Sequence, residues 1–228
     1  MVRSESIEEA MAAAERSLSE GDGLAGTGFR KAVGSVKENP ELVERYAEVI
    51  ADLDRRAFER WALFTVPVGL GTSLMVAATI IGIGLVAAAY YAEPQMLALI
   101  VFYVGLGILL VTTHGLGHLV VGRLGGIRFT HWFIGTITRP QPGVKVDYAS
   151  YLRAPANVRA WMHASGAIVT KAVPLLLIGA AVAAGLPAWA IWALPLLTLV
   201  TVITDVTWST KSSDWAKFSR ERRFAQSP

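Results

Sequence analysis

The chain has no cysteine, which excludes a disulfide framework, a thiolate nucleophile and a cysteine-rich metal cluster. Charge is scarce as well. Asp, Glu, Lys and Arg make up 17 % of the residues against 53 % hydrophobic ones, and long stretches carry no charge at all. Such runs rule out an ordinary water-soluble domain. Crossing ~30 Å of hydrocarbon takes roughly 20 apolar residues. Four runs reach that length, over 61–90, 96–121, 161–185 and 188–208. The expected fold is an all-α polytopic membrane protein with four transmembrane helices, residues 61–210 forming the membrane domain.

Basic residues are missing from two of the connections. The segment 91–95 and the turn Leu186-Pro187 contain no Lys or Arg. Arg55, Arg56 and Arg60 precede the first span, the loop 122–160 carries Arg123, Arg128, Arg139, Lys145, Arg153 and Arg159, and the tail 211–228 carries Lys211, Lys217, Arg220, Arg222 and Arg223. Every basic cluster falls on one side, so the positive-inside rule puts both termini and the long loop in the cytoplasm. A prokaryotic cytoplasmic membrane is the expected location. The net charge of +3 expresses this asymmetry, and nothing in it calls for nucleic acid.

Residues 1–60 are acidic and helical in pattern. Ser6-Ile7-Glu8-Glu9 reads as a capping box, followed by Ile7, Met11, Ala14 and Leu18 at helical spacing. The glycines of Gly21-Asp-Gly-Leu-Ala-Gly26-Thr-Gly28 formally contain G-x-G-x-x-G, but no strand precedes them, so they read as a flexible linker. Asn39-Pro40 opens another helix with Leu42, Tyr46, Val49, Ile50 and Leu53 on one face. That stripe packs on the membrane domain, on a partner, or on a second copy of the chain. In the loop 122–160, Ile127-Arg-Phe-Thr-His-Trp-Phe-Ile134 and Val144-Lys-Val-Asp-Tyr148 flank a turn at Arg139-Pro-Gln-Pro-Gly143, which predicts a β-hairpin. Its edge offers a place for an added peptide strand, or it caps the helix ends.

The chemistry sits in Thr113-His114-Gly115-Leu116-Gly117-His118. Histidine inside a membrane helix marks a functional site, and i, i+4 spacing puts both imidazoles on one face, where they can hold one metal ion. Asp205, in the fourth span, is the candidate third ligand. Imidazole and carboxylate suit zinc. Lys171 lies in the third span, and an unpaired Asp or Lys at a helix centre costs ~2.5–3.5 kcal/mol. Lys171 and Asp205 therefore pair with each other, meet a metal, or face water. His131 and His163 read as structural, and Asp214 as a helix cap beyond the membrane.

With these residues in place, the chain resembles the site-2 protease family of intramembrane zinc metalloproteases over about 105–215. That resemblance implies a helix carrying H-E-x-x-H (here His114 and His118), a β-rich loop beginning near Gly126, a glycine-containing third helix at Ala164-Ser-Gly166, and a zinc-binding Asp at Asp205. The chain departs from the pattern at Gly115, which replaces the glutamate base, at Val206, which replaces a Gly, and after Gly166, where no Pro follows. Lys171 lies near where the family places an Asn.

Three functions are compatible with these residues. One is a catalytically inactive relative that binds membrane helices or peptides and retains a divalent metal, Zn2+, at His114, His118 and Asp205. Another is an active metal-dependent enzyme with a non-standard base, for which Lys171 is the candidate. The third is a structural membrane protein with no site. The partners expected are the lipid bilayer, a membrane-helix or peptide client, and a second copy through the N-terminal helices.

Overall fold

A computed structural model of the protein describes residues 4–137, 142–207 and 213–226. The chain begins with three helices, α1 (Ser4–Ser19), α2 (Phe29–Lys37) and α3 (Pro40–Trp61). Strand β1 (Phe64–Pro67) leads into α4 (Val68–Ala88), and α5 (Gln95–Leu124) returns. Next come β2 (Phe129–Ile134), β3 (Pro142–Val146) and a short helix α6 (Tyr148–Arg153). The remainder is α7 (Ala156–Leu176), α8 (Ile178–Ala183), α9 (Ala188–Thr207) and α10 (Asp214–Gln226).

Four helical stretches are long and apolar enough to cross a membrane: Val68–Tyr91, Gln95–Leu124, Ala156–Ala183 and Ala188–Thr207. The third joins α7 to α8 across an interruption at Leu177, three residues after Pro174. Proline removes one helical hydrogen bond and crowds the preceding turn. The first span starts later than its apolar run. Trp61 closes α3, Ala62 is extended, and Phe64–Pro67 pairs antiparallel with β2. Hydrophobicity alone does not separate a short buried strand from the first turns of a helix, so this strand was not legible in the run.

The expected hairpin is present as β2 and β3, with Trp132 opposite Val144 and Phe133 opposite Gly143. Of its turn, residues 139–141 lie outside the described residues. The sheet has three strands in the order β1-β2-β3. Both edges of β2 are therefore occupied by the chain itself.

The N-terminal helices form their own apolar core. Ile7, Met11, Ala14 and Leu18 of α1 are buried against Phe29, Val33 and Val36 of α2 and against α3. Ala149 and Leu152 of α6 complete the cluster, so the chain covers this face itself. The buried stripe of α3 is Val43, Tyr46, Ala47, Ile50 and Leu53, whereas Val49 is 48 % exposed. It is turned slightly from the expected stripe because α3 faces α1, α2 and α6 together. Asn39 caps α3 by accepting from the Glu41 amide at 2.8 Å, and Pro40 is the first helical residue. Ser6 lies within α1 rather than ahead of it. The glycine-rich segment forms tight turns in which Gly21, Gly26 and Gly28 have φ of 96°, 79° and 79°. Between α4 and α5, a Cβ on Gly105 would lie 2.8 Å from the Gly82 carbonyl oxygen, so glycine sets the closeness of that pair.

Candidate metal centre

His114 and His118 lie on the face of α5 turned toward α7. Gly166 of α7 makes the approach feasible: a Cβ there would overlap His118 Nε2 and come within 3.0 Å of His114 Cε1. Both rings are oriented from behind. His118 Nδ1 lies 2.7 Å from the Met162 carbonyl oxygen, which only accepts, so this nitrogen carries the hydrogen. Thr170 spends its single hydroxyl proton on the Gly166 carbonyl at 2.9 Å, so it accepts from His114 Nδ1 at 2.9 Å. Both neutral rings are thus the Nδ1–H tautomer, and both Nε2 lone pairs point into one space.

The two Nε2 atoms are 3.2 Å apart. Asp214 Oδ2 completes a triangle, 3.3 Å from His114 Nε2 and 3.2 Å from His118 Nε2. Metal bonds of about 2.0–2.1 Å in tetrahedral array separate their ligands by about 3.3–3.4 Å, so the spacing suits a zinc-sized ion. Three inward lone pairs repel one another unless a cation lies among them. Burial raises the Asp214 carboxyl, but hydrogen bonding to His114 and His118, assisted by Lys217, outweighs burial and holds it well below the usual carboxylate range. Lys217 Nζ lies 3.2 Å from the other carboxylate oxygen. The His114 side chain is 38 % exposed, against 14 % for His118, so the pair is open to the surface on the His114 side.

Asp214 is the first residue of α10, where the sequence suggested a cap. Ser213 Oγ accepts from the Ala216 amide at 3.2 Å instead, which leaves the aspartate free to turn toward the histidines. Trp161 of α7 meets Phe218 edge-on at 5.5 Å and fixes α10 alongside α7. The neighbouring Ser212 and Lys211 lie outside the described residues.

The carboxylate beside the two histidines is thus Asp214, and the expected third ligand, Asp205, lies elsewhere. Asp205 is held by Lys171 Nζ, which also donates to the Ala167 carbonyl at 3.3 Å. An ammonium and a carboxylate among apolar helices satisfy each other, which removes Asp205 from the histidines and Lys171 from service as a base. The pair is half-buried, and leaving one partner unpaired at the centre of a membrane helix costs ~2.5–3.5 kcal/mol. Lys171→Met is accordingly expected to lower the thermal unfolding temperature in detergent markedly. Lys171→Met combined with Asp205→Leu should recover most of the loss, and equal loss in both variants would contradict this assignment.

The position after His114 is also informative. A Cβ on Gly115 would lie 2.5 Å from Cζ3 of Trp132, and Gly71 of α4 presses on the same indole. Trp132 Nε1 donates to Thr72 Oγ1 at 3.1 Å. The indole therefore fills the volume that a side chain at 115 would enter. The sequence placed Trp132 only in a strand. The signal for its slot was the pair Gly71 and Gly115, one in each of two apolar helices. Of the remaining histidines, His163 pairs with the Tyr151 hydroxyl at 2.9 Å and His131 lies opposite Pro67 and Lys145 in the sheet, so neither belongs to the triad.

Comparisons of the chain with protein-family models, curated proteins and solved structures find no match.

Proposed function

We propose that this chain is an integral membrane metalloprotein, related in architecture to the site-2 proteases, that holds one divalent ion between His114, His118 and Asp214. In this reading it recognises membrane helices or peptides and does not hydrolyse them by the glutamate-assisted route. The observation that carries it is the convergence of three lone-pair atoms at 3.2–3.3 Å, each imidazole oriented by a partner behind it. Two imidazoles and one carboxylate favour zinc. One-sided Lys and Arg support a cytoplasmic location for both termini, the sheet and α10.

An ion held by His114, His118 and Asp214 would supply Lewis acidity to an oxygen of water or substrate. The chain's own residues bind and orient. Thr170 and the Met162 carbonyl fix the rings, and such partners are worth roughly 10–100-fold in metal affinity. Hydrolysis further needs a group within hydrogen-bond reach to accept a proton from water, a contribution of ~10²–10⁴-fold. Gly115 has no side chain, Trp132 fills the space beside it, and Lys171 is bound to Asp205.

Metal analysis of the detergent-purified full chain should give one equivalent. His114→Ala with His118→Ala, and Asp214→Asn separately, should lose it, whereas Asp205→Asn should keep it. Full metal content in Asp214→Asn would sink the assignment. Reconstitution with membrane-helix substrates should show no cleavage. Turnover abolished by a chelator would instead favour an active enzyme with another base.

A further inference from the structure

Helix α10 carries a second inward carboxylate. Glu221 lies seven residues after Asp214, two helical turns along the same face. It is 1 % exposed, with Oε1 2.5 Å from Lys37 Nζ at the end of α2 and Oε2 2.7 Å from Arg159 Nε near the start of α7. Arg159 also donates to the Leu152 and Ala154 carbonyls at 3.1 and 2.6 Å. Lys37 and Arg159 are themselves only 7 % and 4 % exposed. Arg220, Arg222 and Arg223, which flank Glu221, are exposed. One acidic side chain thus bridges two buried cations from two different elements.

This polar face ties α10 to α5, α2 and α7 at once. None of the three apolar core clusters among the described residues includes a residue of α10. Its contacts include Asp214 at the histidines, Glu221 at Lys37 and Arg159, the Phe218 ring against Trp161 along α7, the Trp215 ring under Lys171 at 5.9 Å and the Phe224 ring under Lys37 at 5.7 Å. Burial draws Lys37 down to about 8, the nearby Arg159 and Arg220 charges act in the same direction, and Glu221 opposes them.

We propose that α10 is a latch that delivers Asp214 to the metal, with Glu221 as the positioning residue and the N-terminal helices, through Lys37, as the element that sets metal affinity. The inference rests on the metal reading above. The ion and the N-terminal contact stabilise the same docked state of α10, and such coupling is reciprocal: whatever tightens one tightens the other. Displacing α1–α3 releases the ion without touching a ligand.

The test measures Zn2+ affinity of the full chain in detergent by competition with a chromophoric chelator. Glu221→Gln and Lys37→Met should each bind zinc about tenfold or more weakly. Saturating stoichiometry should be unchanged, as should the visible absorption of the Co2+-loaded protein, because the ligands are unaltered. In the wild-type chain, Zn2+ should slow amide exchange in α10 and also in α2, and Asp214→Asn should erase both effects. The exchange arm decides the matter if a variant with unpaired buried cations fails to fold. Wild-type affinity in both variants, or protection that never reaches α2, overturns the latch while leaving the metal site intact. A wild-type chain that binds no Zn2+ overturns the metal reading itself, and the latch with it.

Discussion

Gly115→Glu is expected to destabilise the protein and to restore no hydrolysis. A glutamate after His114 looks like the one missing piece of a protease motif, yet the site has no room for it. Its Cβ alone would stand 2.5 Å from the Trp132 ring, which is wedged against Gly71 on α4 and bonded to Thr72. Overpacking of this kind costs about 1–3 kcal/mol, and burying an unpaired carboxylate adds to it. Adding Trp132→Ala makes space, but deleting a large buried aromatic costs roughly 3–5 kcal/mol by itself. Thermal unfolding in detergent and a membrane-helix cleavage assay, run on both variants, check this. A stable single variant with chelator-sensitive peptidase activity would show that Trp132 moves aside and that only the base was lacking.

Gly166→Ala should cost zinc affinity about 100-fold or more while leaving the helices intact. The added methyl would stand 2.4 Å from His118 Nε2 and crowd His114 Cε1 at 3.0 Å. Neither ring retreats freely, because Met162 and Thr170 hold them from the other side. Breaking those supports forfeits the roughly 10–100-fold that ring-orienting partners contribute, before any loss from displaced ligands. Alanine is otherwise the better helix former by ~1 kcal/mol, so lost metal without lost helicity would separate this effect from unfolding. Gly107→Ala is the control. It lies on the same helix as the histidines, and a Cβ there meets nothing within 4 Å. Equal zinc binding by the Gly166 variant and the wild type would remove the close α5–α7 approach from the account of the site.

What could be read before the structure was whatever depends on near neighbours in the chain. Four apolar runs appear as four helices of spanning length, and the alternating aromatic and β-branched segments after Gly126 appear as paired strands. Asn39-Pro40 opens a helix because cap chemistry is local. The facing of His114 and His118 follows from 3.6 residues per turn. What needed the tertiary structure was every choice between chemically equal candidates far apart in sequence. Asp205 and Asp214 offer the same carboxylate. Lys171 on the facing helix claims the first, and the packing of α10 along α7 brings the second to the histidines. The residues before Val68 are as apolar as a span, yet the free edge of β2 draws them into a sheet. Gly115 reads as a missing base until the indole of a distant strand is found in its place. Local periodicity is encoded by adjacent residues, whereas partner choice is decided by which surfaces the packed helices bring within reach.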